Sequence, residues 1–311
     1  MPDPQRKTIS STQAAALYNA SPYTTQWMLY HYLRGAEDIA VDNDRMYWGR
    51  AMQPLILERA AADLHLEIRQ NVENKYIQDG VLGYTADAKT FHPDKGHAVV
   101  EGKCVFDYGT WMRDWDGGKR VPRHYELQMQ TQLTVGDGAE PYRWGIFAVW
   151  CCADMHYFER ELNLMVAKDL HDQAVTMLAR VRNGDEPDPF GSALELPLLD
   201  KLLPIEKGKV LDLRQSPGGK SFAELGKMLQ DFRKDANFNQ KAAEDARNRL
   251  RAMAGDNETV LLPYGVTLKL ATRTMKEHTR KASTWTAIDV KIADTEDGKD
   301  TADLPLGAPA V

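Results

Sequence analysis

The stretch that most constrains this chain is residues 81–103, VLGYTADAKTFHPDKGHAVVEGK. It predicts two β-strands joined by a polar turn, KTFHPDKGH, in which Pro93 and Gly96 are turn formers. Asp87 closes the first strand, and Glu101 and Lys103 lie near the end of the second. Side chains on a strand alternate faces, so Glu101 and Lys103 point the same way, one pleat apart. If the two strands pair, Asp87 lies beside Glu101. Two carboxylates and an ammonium then converge where two hydrophobic strands finish.

Such a group suits a divalent cation held next to a phosphodiester. Hydrolysis needs a nucleophilic water and a stabilised leaving oxygen, and Mg²⁺ supplies both through oxygen ligands. Asp87 and Glu101 are the candidate ligands, and the carbonyl of Gly102 adds a third oxygen. Lys103 is placed to orient the attacking water or to stabilise charge on the phosphate. An Asp–x13–Glu–x–Lys spacing alone also arises by chance in a chain with 27% charged residues.

The flanking segments supply the context. Residues 9–20, ISSTQAAALYNA, read as a helix capped by Ser10, Ser11 or Thr12. The Ser/Thr cluster acts either as a cap alone or, with Arg6 and Lys7, as a phosphate cradle on free helix amides. Thr24 or Thr25 caps a second helix, QWMLYHYLRG, which Gly35 ends. A long helix spans 44–64, with Pro54 marking a kink or a start. Gly49 and Gln53, four apart, share one of its faces. Residues 65–80 read as a short strand and loop.

A loop at 107–121, DYGTWMRDWDGGKRV, interleaves Trp111 and Trp115 with Arg113, Lys119 and Arg120. This pattern suits stacking on nucleic acid; the alternative is tryptophans folded back onto the core. A helix at 122–135 places Tyr125, Gln128 and Gln132 on one face. Strands YRWGIFAVWCC and MHYFERELN follow, then a helix at 164–182.

The Pro-, Gly- and acid-rich stretch NGDEPDPFG (183–191) predicts a domain boundary. Residues 192–220 are ambiguous. GGKS at 218–221 is not a phosphate loop, because Arg214 stands where that motif needs glycine. A single charged helix is expected over 222–254, then strands ETVLLP, VTLKLATRT and STWTAIDVKI. The acidic end, 294–311, is expected to be disordered. The organisation is thus a core at 1–183, an accessory region at 192–293 and a tail.

A formal net charge of −6 excludes a uniformly basic nucleic-acid binder and leaves room for a local basic channel. Three cysteines without a CxxC pair speak against structural zinc and suit a reducing compartment. No run of about 18 apolar residues is present to span a membrane, and MPDPQRKTISS has no signal-peptide core. A cytoplasmic protein with no membrane partner is expected.

The order of these segments resembles the lambda-type (YqaJ-like) phage recombination exonucleases of the PD-(D/E)xK superfamily, over roughly residues 6–180. ISSTQAAALYNASPY resembles their opening segment. WGRAMQPLILE resembles the helix that begins with Gly and carries an acidic residue four further on. TADA stands at their Ser-Pro-Asp-Gly motif, VVEGKCV at the strand with Glu–x–Lys, and HYELQMQTQL at the Tyr–x–x–Gln–x–Gln helix.

The resemblance implies an α/β (α+β) fold, a central mixed sheet flanked by helices with a restriction-endonuclease-like core. It implies Mg²⁺ (or Mn²⁺) on Asp87 and Glu101, Lys103 as the catalytic lysine, and Gln128 positioning the site beside Tyr125. It implies a 5′-phosphate pocket at Ser11–Thr12 with Arg6. The implied activity is 5′-to-3′ degradation of one strand of linear duplex DNA for phage recombination in a bacterial cytoplasm. Double-stranded DNA ends, a single-strand annealing protein and a ring-shaped homo-oligomer are the implied partners. Two departures matter. Gln53 stands where the family has a helix carboxylate, so a metal loses one charged ligand. TADA lacks the Pro and Gly of a tight turn. The departures leave two alternatives: a DNA-end-binding protein with a weakened site, and a structure-selective endonuclease.

Overall fold

The structure is a computed structural model, and it describes residues 8–37, 39, 42–71, 74–234, 240–263, 266–274 and 284–292. The chain divides into two units, Met1–Phe190 and Gly191–Val311. The division falls within the Pro- and Gly-rich stretch singled out in the sequence.

The first unit is built on a five-stranded mixed sheet. Its strands are β2 (Arg69–Gln70), β5 (Ala88–His92), β6 (Gly96–Val105), β7 (Trp144–Cys151) and β8 (Asp154–Glu161), in the order β2-β5-β6-β7-β8. β6 and β7 are parallel, and the other pairings are antiparallel. A smaller sheet has the order β1-β4-β3, from β1 (Ile9–Ser10), β3 (Tyr76–Asp79) and β4 (Leu82–Thr85).

Alternation along β6 sorts its side chains between two layers. Ala98 and Val100 face helix α2 (Asp44–Leu64), packing with its Ile56, Leu57 and Ala60. Val99 and Val105 face the other way, into a core with Leu127, Met129 and Leu133 of helix α4 (Arg123–Val135). Helix α5 (Leu164–Asn183), capped by Asn163, lays Leu170, Ala174 and Met177 into that same core. The sheet therefore has helices on both faces, the mixed α/β class expected from the sequence.

Several expectations need correction. Residues 9–20 are not one helix. Ile9 and Ser10 pair in parallel with Leu82 and Gly83, and only Ala14–Tyr18 coils, as a 3-10 turn. The β-branched Ile9 is fully buried as a strand residue, which overrides the alanine-rich helix preference that follows it. The strand expected to end at Asp87 is two strands, β4 and β5, in different sheets, with Asp87 at the bend between them and the turn confined to 93–95. Residues 65–80 hold two short strands, β2 and β3.

Helix α1 (Gln26–Leu33) starts as expected at Thr25, whose hydroxyl accepts from the Met28 amide. Helix α2 is one helix with Pro54 inside it, so Pro54 does not start it.

The loop expected at 107–121 contains helix α3 (Tyr108–Asp114). Asp107 caps it by accepting from the Thr110 amide at 2.8 Å. Trp111 and Trp115 are 5% and 1% exposed and stack on each other at 5.5 Å. Their spacing of four puts both on the helix face turned to the core. Trp111 is therefore core, not a surface that stacks on nucleic acid.

The second unit contains α6 (Leu196–Leu202), β9 (Glu206–Asp212), α7 (Gly219–Lys234), α8 (Gln240–Ala254), β10 (Asn257–Leu261), β11 (Val266–Thr274) and β12 (Thr284–Ile292). Its sheet has the order β12-β11-β10-β9. Phe222, Leu229 and Leu250 of the helices pack on Val260, Leu268 and Leu270 of the strands. The single helix expected over 222–254 is two helices, each with an apolar stripe that needs this one small sheet. Arg251 is fully buried and donates to Asp200, to the Gly255 carbonyl and to the Leu203 carbonyl. The acidic tail, 294–311, lies outside the described residues.

The core assignment of Trp111 has a direct test. Trp111→Ala should cost about 3–5 kcal/mol in urea unfolding followed by circular dichroism. Arg113→Ala, on the exposed face of the same helix, should stay within about 0.5 kcal/mol of the parent. Equal, small effects would place Trp111 at the surface.

Candidate active site

β6 carries Glu101 and Lys103 onto the face covered by α4, where they meet. The Lys103 ammonium donates to Glu101 Oε1 at 2.8 Å, and their side chains are 16% and 4% exposed. α4 closes over them with an unusual buried face. Gln128 and Gln132, one turn apart, are 6% and 0% exposed. Gln128 Nε2 donates to Glu101 Oε1 at 2.5 Å, and Gln132 Nε2 donates to Oε2 at 2.8 Å. Gln128 also accepts from Lys103 at 3.2 Å. A buried carboxylate is costly unless its lone pairs are satisfied; Glu101 has three donors, one of them charged.

Asp87 approaches from the bend between the two sheets. The neighbouring Asn71 pins that bend, donating its backbone amide to the Asp87 carbonyl and its side-chain amide to the Ala86 carbonyl. Asp87 Oδ2 accepts from the Gly102 amide at 2.9 Å. β5 and β6 pair with Ala88 opposite Val100, so extending the register by one residue sets Asp87 against Glu101. TADA thus reaches the expected place without Pro or Gly, because Asn71 does the holding.

Gln53 reaches the site from the opposite layer. Its Cγ lies 3.4 Å from where a Cβ on Gly102 would stand, and Asp87 Oδ2 lies 3.8 Å from the same point. The helix position that differs from the family pattern is therefore in contact with the other candidate ligands.

Electrostatics follow from this crowding. Burial and the Glu101 charge push the Asp87 carboxyl up to about 7, against the pull of Lys103. Burial disfavours the Lys103 charge, yet Glu101, Tyr125 and Asp87 together hold it protonated, above the usual lysine range. The Tyr125 ring covers the ammonium, 4.5 Å from its centroid, a cation–π contact. His124 lies 4.0 Å from Tyr125, ring to ring, and burial beside Lys103 lowers it to about 4, so it is neutral at pH 7.

The donors available to a cation are the Asp87 and Glu101 carboxylates, the Gln53 amide oxygen and the Gly102 carbonyl. An all-oxygen set with two charges fits one hard divalent cation such as Mg²⁺ or Mn²⁺. No group of three or more His, Cys, Asp or Glu side chains suited to a metal occurs among the described residues.

A cleft of about 830 Å³ opens beside Tyr125. Asp107, Asp114 and Glu126 on its walls are each paired, with Arg45 (3.4 Å), Arg113 (2.8 Å) and Arg160 (2.7 Å). Arg120 and Arg123, also on the walls and exposed, form no ion pair among the described residues. The cleft therefore carries two uncompensated guanidinium groups.

The other described candidate residues bond elsewhere than to Asp87, Glu101 or Lys103. Ser11 is buried, and its amide donates to the Gly83 carbonyl, so it is not a free helix amide. Thr12 is exposed and bonds the Ser10 hydroxyl. Arg113 is exposed and pairs with Asp114. Arg6 lies outside the described residues. The residues that sequence reasoning left without a role are Gln132, His124 and Arg123. Gln132 had a signal, its spacing of four from Gln128; Arg123 and His124 had only their place beside Tyr125.

Residues 3–139 match the family of the YqaJ-like viral recombinase domain, the relationship that the motifs suggest. Three solved structures overlap more loosely. LHK-Exo in complex with dAMP shares 16% identity at a TM-score of 0.46, over 58% of this chain and 90% of that one. The alkaline exonuclease LHK-Exo from Laribacter hongkongensis gives 17%, 0.44, 58% and 90%. A phage-related exonuclease from Haemophilus somnus 129PT gives 8%, 0.43, 56% and 93%. No curated protein matches the sequence.

The crowding at Asp87 predicts a pH-dependent stability in metal-free protein. A carboxyl at about 7 in the folded state and 3.8 in the reference state binds its proton more tightly when folded. Its ionisation therefore destabilises the fold progressively as pH rises from about 4 to about 7. Asp87→Asn removes that penalty. At pH 8 it should raise unfolding free energy by on the order of 1–3 kcal/mol, shrinking towards zero near pH 4. Urea unfolding in EDTA at both pH values measures this; a variant less stable at pH 8 contradicts it.

Proposed function

We propose that this chain, a YqaJ-like nuclease over residues 3–139, is a Mg²⁺-dependent exonuclease that degrades one strand of linear double-stranded DNA from its 5′ end. Its setting is phage-type recombination in the cytoplasm of a bacterial host. The observation that carries the reading is Asp87 bonded to the Gly102 amide, between Glu101 and Lys103, where Lys103 pairs with Glu101 and α4 fixes both oxygens of Glu101.

Each residue has a task that follows from its place. Asp87 and Glu101 hold the cation, with Gln53 and the Gly102 carbonyl as neutral oxygens. When bound, the cation supplies Lewis-acid stabilisation of the phosphate and a more acidic water. Lys103, held protonated, stabilises charge as it builds on the scissile phosphate. Tyr125 and Gln128 hold the ammonium in place. Arg120 and Arg123 offer phosphate-binding charge along the cleft, although the chain as a whole is acidic.

A DNA-end-binding protein with a weakened site is favoured by one observation, Gln53 in place of a carboxylate. The two readings separate experimentally. On linear duplex DNA with Mg²⁺, Lys103→Ala should lower the rate by at least about 10²-fold, and Gln53→Glu should lower the Mg²⁺ concentration for half-maximal rate. A covalently closed circle should survive intact. A wild-type protein that binds ends without cutting them, while Gln53→Glu cuts, would establish the binder instead. Cutting of the closed circle would make the protein an endonuclease.

A further inference from the structure

The third glutamine of α4, Gln132, has Glu101 as its one hydrogen-bond partner among the described residues. Gln130, two residues earlier, is what a structural buried glutamine looks like: Nε2 donates to the Glu161 carbonyl at 2.8 Å and Oε1 accepts from the Asn163 amide at 2.8 Å. Both ends are satisfied, and both partners belong to the chain's β8–α5 connection. Gln132 is fully buried, gives its single bond to Glu101 Oε2, and its Oε1 has no partner among the described residues. An unpaired buried amide oxygen costs about 1–3 kcal/mol. An apolar residue of the same size would avoid that cost but would leave Glu101 Oε2 without its donor, so the role of Gln132 is to be read at Glu101.

The lone pairs of Glu101 show what Gln132 accomplishes. Each carboxylate oxygen has two acceptor sites. Oε1 uses both, for Lys103 and Gln128. Oε2 uses one, for Gln132. Glu101 therefore has one free acceptor site, on Oε2, and Gln132 is the group bonded to that oxygen. Without Gln132 the carboxylate plane is fixed at one end only.

We infer that Gln132 is a positioning residue for the cation site: by holding Oε2 of Glu101 it sets the direction of the one lone pair left for a divalent metal, and so raises metal affinity. The inference rests on the metal-dependent reading above. It also answers the loss of charge at Gln53. A site with one carboxylate fewer depends more on the orientation of those that remain, since outer partners of a ligand typically change affinity by about 10–100-fold.

The experiment measures Mn²⁺ bound to the full-length protein, by electron paramagnetic resonance of the free ion, without DNA. Gln132→Met keeps the volume and removes the donor; Gln130→Met is the control that breaks a structural amide of the same helix. Gln132→Met should weaken Mn²⁺ binding by about 10-fold or more, with Gln130→Met unchanged in affinity even if its Tm falls. If Gln132→Met does not fold, Gln132→Asn, one methylene shorter, replaces it and should show the same direction. Affinity unchanged in the Gln132 variant, or lowered equally in both, overturns the assignment. A wild-type protein that binds no Mn²⁺ is a different failure: it removes the metal reading itself, and the inference with it.

Discussion

The structure of the first unit depends on one buried carboxylate. Glu101 is 3% exposed and sits in the middle of the sheet's central strand. Burying it unpaired would cost several kcal/mol. The cost is met by an ammonium two residues along the same strand and by two amides one turn apart on a helix. The side-chain period of a strand and the turn of a helix thus meet on a single group. The parallel pairing of β6 with β7 requires a crossover, and α4 lies in that crossover, which is what brings its glutamines over the strand.

How much of this was legible in the sequence depended on whether the signal was local. Glu101 and Lys103 share a face by strand alternation, and Gln128 and Gln132 share one by helical spacing; both followed from the residues alone. Thr25 as a cap and the mixed α/β class were equally readable. Asp87 was placed beside Glu101 for a reason that was only partly right. The expected hairpin would have been one continuous sheet, whereas the chain changes sheets at Asp87, and a change of sheet leaves no period in the sequence. What holds the bend is Asn71, sixteen positions before Asp87, in a stretch that read only as strand and loop.

The misses have physical causes. Ile9–Ser10 became a strand because β4 offered a free edge, a tertiary fact. Trp111 and Trp115 alternate with basic residues along the chain, but a helix separates them by face and sends the rings inward. Asp107 followed by Thr110 was the available clue to that helix. Gln132 was on the page as part of a polar face; its value emerged only when Glu101 proved to have a second oxygen to hold.

The departure at Gln53 gives the site its particular character. Burial and the Glu101 charge raise the Asp87 carboxyl, and the divalent cation proposed for this site would relieve both carboxylates. Two charges and two neutral oxygens suit a single ion. The most direct measurement is therefore the stoichiometry of Mn²⁺ binding to the whole protein by isothermal titration calorimetry, with Glu101→Gln alongside. One Mn²⁺ per chain, lost in Glu101→Gln, is the result this site predicts. No bound ion, or binding that survives in Glu101→Gln, contradicts it.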